Sequence, residues 1–359
     1  MKKIFFIYML LSQYISAQNI KVAILEDLVP RWFSNNYQKN YLSGINLEVQ
    51  TAKKHGINYK YKTFFSANTN IFEQIKEIKK WNPDVVIGPT DSSHFLLLKD
   101  QFTDILVLSP YASSDAVFKM PNNYYTLTSP ATFKVKKTSK SSKPIVGYIF
   151  TEVSCAFCVD FAKVIVAEFK KKGIEINQIN FIDDNLTNKQ LDYKTVLKNH
   201  HENDIIILNT SGYQDELLIS GISHNIKKSK IMYIVGDAWD MYNSPGTDTV
   251  KTNYTFNVVR ITPKVVHEDR GPLQKFTKQY VQLYNKTPSA IAFSTFNTLN
   301  SISDALKNYN CNLKNVKANI LCSYQSAIKK NPGWYRPNIT EIYKIKIANG
   351  FFIIEIKWG

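Results

Sequence analysis

The stretch DVVIGPTDSSHFLLL, Asp84–Leu98, decides how this chain folds, together with ILVLSPYASS, Ile105–Ser114. In each, an unbroken apolar run of strand length stops at a turn containing proline and serine. Such runs, with no polar alternation, suit strands buried on both faces of a parallel sheet. Ser92–Lys99 between them has a helical pattern. Toward the N-terminus, Ile20–Leu25 and Ile57–Tyr61 have strand character. Asn40–His55 repeats Leu42, Ile45, Val49 and Ala52 at helical spacing, and Ile71–Lys80 repeats Ile71, Ile75 and Ile78. Strand and helix therefore alternate, which predicts a parallel α/β sheet.

The polar, turn-prone stretch KKTSKSSK, Lys136–Lys143, interrupts that alternation. It resumes with a strand at Ile145–Phe150 and a helix at Cys158–Lys172 that Gly173 stops. Further strands are expected at Ile174–Phe181, Asp204–Leu208, Lys230–Val235 and Thr255–Arg260, with helices at Gln190–Asn199 and Glu216–His224. Two longer helical patterns, Pro272–Tyr284 and Ile291–Tyr309, precede Ile342–Ile347 and Phe351–Ile356, which flank Asn349-Gly350, a strong hairpin signal. Two α/β units thus stand in series, with no short-period repeat.

At 359 residues the chain is too long for one ordinary compact domain and suits two lobes. A net charge of +16 raises nucleic acid as a partner. The lysines are scattered, however, and clusters such as Lys170–Lys172 and Lys227–Lys230 fall at expected helix ends, where a cation favours the dipole. No basic recognition motif accompanies the charge, so nucleic-acid binding is not expected. Lys2 and Lys3 lead into an apolar run, Ile4–Leu11, which fades to Ser16 and Ala17. This has the form of a signal peptide over residues 1–17, and the run is too short to span a bilayer. A soluble protein exported to the periplasm is expected. Export permits disulfides among Cys155, Cys158, Cys311 and Cys322. Of the three full pairings, Cys155–Cys158 with Cys311–Cys322 needs the least rearrangement. A zinc site is the competing reading, without paired CxxC motifs or close histidines.

Asp84–Leu98 resembles the strand–turn–helix of type I periplasmic binding proteins, which include the branched-chain amino acid receptors of ABC importers. Ile105–Ser114 is similar to that family's strand and SP-x-A-T turn, and Met120–Pro130 (MPNNYYTLTSP) to its next strand. Pro144 opens PIVGYIF, which resembles the start of the second lobe. FTKQYVQLYNKTP, Phe276–Pro288, is similar to the family's helix with spaced aromatics, Ala290–Leu306 to the helix after it, and ITEIYKIKIANGFF to its final hairpin. The resemblance spans nearly the whole expected mature chain in order. It implies two Rossmann-like lobes with parallel sheets, joined by three crossings near Lys140, Ile261 and Lys330. Lobe 1 would hold residues 18–140 and 262–330, and lobe 2 residues 141–261 and 331–359. Ligand would bind between them, at the carboxyl ends of the strands.

The resemblance also implies site residues. Ser92 matches a ligand-binding serine, and with Ser93 it opens a helix whose N–H groups suit a carboxylate; Asp91 or Ser92 can equally cap that helix. In the second turn, after Tyr111, Ala112 and Ser113 match the family's alanine and threonine. Phe157 stands where the family places a tyrosine, so ring contact survives and the hydroxyl does not. Tyr213 matches another cleft position, and Trp32 could cover the ligand from lobe 1; each aromatic has packing as its alternative. Asp237 matches the acidic partner of an amino-acid ammonium, with Asp240 as the alternative. The expected protein is a monomeric solute-binding protein, not an enzyme, with no cofactor or metal. It would take a small ligand, an amino acid or related carboxylate, and deliver it to an ABC transporter permease. The sharpest rival is a periplasmic thiol-disulfide oxidoreductase. IFTEVSCAFCVDF, Ile149–Phe161, runs from a strand through Cys155-x-x-Cys158 into a helix, an arrangement that lowers a thiol pKa. No proline suited to a cis-proline loop follows between Gly173 and Ser244. A ligand-sensing module of the same fold is a third reading.

Overall fold

A computed structural model describes residues 18–26, 35–65, 70–127, 131–137, 146–182, 205–210, 232–235, 257–260, 272–331, 339–347 and 350–358, with a few single residues between 192 and 222. The chain opens with β1 (Gln18–Glu26), α1 (Asn35–Lys53), β2 (Ile57–Phe65), α2 (Ile71–Trp81), β3 (Val85–Ile87), α3 (Ser92–Leu97), β4 (Leu106–Ser109) and β5 (Tyr124–Thr126). These five strands form one parallel sheet, in the order β2-β1-β3-β4-β5. After β6 (Ala131–Lys137) come β7 (Val146–Glu152), α4 (Ala156–Lys171), β8 (Glu175–Ile182), β9 (Ile205–Asn209), β10 (Met232–Val235) and β11 (Asn257–Arg260). They form a second parallel sheet, ordered β11-β10-β9-β7-β8. Three helices follow, α5 (Pro272–Tyr284), α6 (Ala290–Tyr309) and α7 (Val316–Lys330), and then the strands β12 (Ile339–Ile347) and β13 (Gly350–Trp358).

The first lobe has three layers because its central strands are apolar on both sides. On β1, Val22 and Ile24 join a buried cluster with Tyr41 and Ile45 of α1, Ile302 of α6 and Tyr324 of α7. The alternate residues Ala23 and Leu25 join Ile75 and Ile78 of α2 and Phe95 of α3. The chain therefore returns from the second sheet to complete the first lobe. Gly44 permits this closure: a Cβ there would overlap the Ala292 carbonyl and the Thr295 hydroxyl where α6 crosses α1. In the second lobe, α4 buries Cys158, Phe161, Ile165 and Phe169, one face of a helix, and stops before Gly173, whose φ is +66°.

Of the polar stretch Lys136–Lys143, only the first two residues are described; residues 138–143 lie outside the described residues. Lys136 and Lys137 end strand β6, which pairs antiparallel with β13 in a three-stranded sheet ordered β12-β13-β6. Ala131, Phe133 and Val135 alternate with Thr132, Lys134 and Lys136, a strand pattern whose partner lies at the far end of the sequence. The expected terminal hairpin is present and longer than its sequence signal, with Ile339 opposite Trp358. Cys311 and Cys322 are bonded, S–S 2.02 Å, stapling the α6–α7 connection to α7. A loop of that size contributes about 2–3 kcal/mol in the chain-entropy account.

A buried polar chain ties α1, β2 and α6 together. The Ser303 hydroxyl donates to Glu48 Oε1 at 2.7 Å and lies 2.9 Å from the Tyr59 hydroxyl. Glu48 is 1% exposed. Burial pushes its carboxyl up to about 8; the Asp304 charge adds to this, while the Ser303 hydrogen bond and Lys275 oppose it. Folded Glu48 thus holds its proton to a higher pH than the unfolded chain does. The stability conferred by the neutral form is complete below the ordinary glutamate range and is lost as pH rises toward 8. Thermal unfolding followed from about pH 5 to about pH 8 should show a melting temperature that falls with pH, and Glu48→Gln should flatten this slope, raising stability at the upper end by on the order of 1–3 kcal/mol.

Candidate functional site

Parallel strands bring the carboxyl ends of β3 and β4 to one edge of the first sheet, where loops are free to vary. The turn after β3 starts at Gly88, φ +93°, where a Cβ would overlap the Leu25 carbonyl. A cis peptide joins it to Pro89. Thr90 Oγ1 lies 3.1 Å from the Tyr37 hydroxyl of α1. Asp91 caps α3, its Oδ1 accepting from His94 N at 3.0 Å.

Two serines lock this turn to the one after β4. The Ser109 hydroxyl donates to the Pro89 carbonyl at 2.6 Å and accepts from Ala112 N at 2.9 Å and Tyr111 N at 3.3 Å. The Ser92 hydroxyl accepts from Ser113 N at 2.9 Å and Ser114 N at 3.1 Å. Ser92 is only 3% exposed, so among the described residues its oxygen serves the adjoining turn. The Ser113 hydroxyl, by contrast, makes no hydrogen bond among the described residues, although its backbone is pinned and the residue is 7% exposed. Ala112 is fully buried, and Tyr111 packs against the α1 side of the core.

Ser93 has a different position from its neighbour. Its hydroxyl donates to the Ser154 carbonyl at 2.7 Å and accepts from Ala156 N at 3.0 Å, reaching the N-terminal end of α4 in the second lobe. Further along α4, Asp160 Oδ2 accepts from the Ser114 hydroxyl at 2.7 Å and from Asp115 N at 3.0 Å, and Lys163 Nζ holds Oδ1 at 3.0 Å. Burial acts to raise the Asp160 pKa. The hydrogen bonds from Ser114, Lys163 and Asp115 and the Lys163 charge outweigh it, holding the carboxyl below its ordinary range.

Phe157, in the first turn of α4, stacks on Phe161 with ring centroids 5.5 Å apart. It is flanked by Cys155 and Cys158, which are bonded to each other. Cys155 is the N-cap, its sulfur accepting from Cys158 N at 3.1 Å. Behind the disulfide, Asn209 at the end of β9 donates to the Cys158 carbonyl and to Thr151 Oγ1. The structure therefore brings Ser92, Ser93, Tyr111, Ala112 and Ser113 to one edge, with Phe157 on the helix that meets it. Trp32, Tyr213, Asp237 and Asp240 lie outside the described residues. Sequence reasoning missed Ser109, Ser114 and Asp160. It also missed Glu26 and Glu152, buried carboxylates that end β1 and β7, the opening strand of each parallel sheet. A glutamate closing an otherwise apolar strand run was the available signal for both.

No protein-family model matches the sequence, and no curated protein matches it. Solved structures do. The leucine-binding protein LivK of Thermotoga maritima superposes with a TM-score of 0.66 at 12% identity, over 93% of this chain and 94% of that one. A solute-binding protein of an ABC transporter from R. palustris, solved with benzoate, gives 0.67 at 12% identity, over 93% and 95%. The branched-chain amino acid transporter substrate-binding protein LivJ of Streptococcus pneumoniae, solved with isoleucine, gives 0.64 at 16% identity, over 86% and 88%. The chain has the two-lobed type I periplasmic binding protein fold. Among the described residues, no helix is long and apolar enough to cross a membrane.

Ser92→Ala should leave the Ser113 and Ser114 amides without their acceptor. We expect a loss of about 1–3 kcal/mol in thermal unfolding and faster hydrogen exchange confined to the 111–115 turn. An unchanged exchange rate at Ser113 and Ser114 would show that the hydroxyl does not hold the turn.

Proposed function

We propose that the protein is an extracytoplasmic solute-binding protein that closes on a small carboxylate, an amino acid, and delivers it to an ABC importer. The observation that carries this reading is the Ser113 turn. Two hydroxyl groups fix its backbone and leave its own hydroxyl uncommitted, at the sheet edge where α4 of the second lobe arrives. A fixed donor in a buried position suits one carboxylate oxygen, because binding then needs no reordering of the protein. The structural neighbours support the ligand class, since leucine, isoleucine, benzoate and 3,4-dihydroxybenzoic acid, named with several of them, all carry a carboxylate. The family match at Asp237 favours a ligand that also bears an ammonium group over a plain benzoate. Asp237, just past β10, is our candidate for the direct ammonium partner, with Phe157, Tyr213 and Trp32 supplying apolar cover. We take the lobes as residues 18–140 with 262–330 and 141–261 with 331–359, β6 pairing with β13 across that division, and residues 1–17 as a signal peptide that directs the protein to the periplasm.

A thermal-shift screen across amino acids, benzoates, amides and sugars tests this directly. Ligand at 100 times its dissociation constant should add about 2.7 kcal/mol. Stabilisation by sugars and by no carboxylate would overturn the assignment. Asp237→Asn should weaken an amino acid by roughly tens- to thousands-fold in calorimetry, the cost of stranding a buried charge, and leave benzoate affinity unchanged. Ser113→Ala should weaken both ligand types about tenfold. If Asp237→Asn changes only the melting temperature, the ammonium partner lies elsewhere, with Glu152 the next residue to replace.

A further inference from the structure

We propose that Asp160 is a closure latch: its carboxylate holds the two lobes together and, through Ser114, positions the turn that carries Ser113. It is a positioning residue, not a ligand contact, and the inference rests on the binding reading only in supposing that closure has a purpose. The geometry is a continuous chain. Asp160 Oδ2 accepts two hydrogen bonds from the opposite lobe, one from a hydroxyl and one from a backbone amide. Ser114, which donates the first of these, is 1% exposed, and its own amide donates to Ser92. Ser92 also takes the Ser113 amide, so α4, Ser114, Ser92 and Ser113 move as one unit while the latch is made.

The carboxylate is arranged for this task. Lys163, one turn along, occupies Oδ1 and leaves Oδ2 to point across the gap. Bonds to an ionised acceptor are about twice as strong as neutral ones, so a single carboxylate can hold a contact that two neutral groups would not. The Ser93 clasp on Ser154 and Ala156 is the neutral counterpart at the start of the same helix. The two contacts are separated by about one helical turn of α4, which fixes the helix's rotation as well as its distance from the first lobe. When the lobes part, both Oδ2 bonds break together while the Lys163 pair remains within α4, and the freed carboxylate is resolvated by water. Closure can therefore be reversed without stranding a buried charge.

Ligand-free protein tests the latch, so the outcome does not depend on which solute the cleft accepts. Small-angle scattering of Asp160→Ala should give a larger radius of gyration than wild type at nearly unchanged melting temperature. The Asp115 amide should exchange about tenfold faster, the Ser113 and Ser114 amides should follow, and β3 and β4 should keep their protection. Asp160→Asn retains a neutral acceptor and should fall between the two. If the radius and the Asp115 exchange of Asp160→Ala equal those of wild type, Asp160 is a surface ion-pair residue and the latch is wrong. If Asp160→Ala does not fold, Ser114→Ala removes the hydroxyl donor to Asp160, together with the weaker acceptor of the Ala116 amide, and the same two measurements decide. A failed ligand screen with an intact latch would count against the solute assignment alone, and the reverse result against the latch alone.

Discussion

The Ser92 hydroxyl, accepting the amides of Ser113 and Ser114, is the interaction on which the site depends. A parallel sheet finishes its strands at one edge, and each loop that leaves that edge carries backbone groups with no ladder partner. Water would satisfy them in an open loop, but here the turn is buried. Ser92 and Ser109 supply the missing partners from within the two turns, at distances of 2.6–3.3 Å. What this fixes is a backbone geometry, from which three consequences follow. Ser113 presents a hydroxyl without having to order itself, Ser114 is aimed at the second lobe, and Ala112 is fully buried.

Much of the fold was legible because its determinants are local. Val85–Ile87 and Leu106–Ser109 are buried along their whole length, and a strand buried on both faces has no polar residue to spare. Gly173 takes the left-handed conformation that ends a helix, and the glycine after Asn349 opens the final strand. What escaped has distant partners. Strand β6 is defined by β13, more than two hundred residues on, and the lysines that end it resemble a linker when read alone. Gly44 resembles an ordinary helical residue until α6 arrives from the other end of the chain. Glu48 sits on the buried side of a helix with nothing nearby in sequence to mark it; Tyr59 and Ser303 give it a reason to be there.

The site was legible in its residues more than in their roles. Ser92 and Ser93 are adjacent in sequence, and the sequence offers both to a ligand with helix capping as the alternative. The helical turn sends them in different directions: Ser92 inward to the neighbouring turn, Ser93 outward to the Ser154 carbonyl. A match to a family motif fixes which residue stands at a position, while which hydrogen bonds it makes depends on what the rest of the chain brings there. Asp160 shows the limit from the other side. Its surroundings in sequence, Val159, Phe161 and Lys163, are those of any amphipathic helix, and the groups it binds are some forty-five residues earlier.

The cysteine pair at the start of α4 belongs with this contact between lobes. A helix N-cap is ordinarily serine, threonine, aspartate or asparagine, whose oxygen satisfies an amide of the first turn. Here a sulfur that is already bonded to Cys158 accepts the Cys158 amide, and Asn209 secures the Cys158 carbonyl from below. The first turn of α4 is thereby held by a covalent bond and by the sheet. The peptide groups just before and after Cys155 are the ones that receive Ser93. A strand, a CxxC and a helix in sequence carry both meanings, redox centre and rigid corner. In this fold the flanking backbone is engaged by the opposite lobe, and the inner cysteine is 3% exposed. A disulfide so placed keeps this contact surface in one shape, so that the contact between the lobes costs little conformational entropy at the point where they touch.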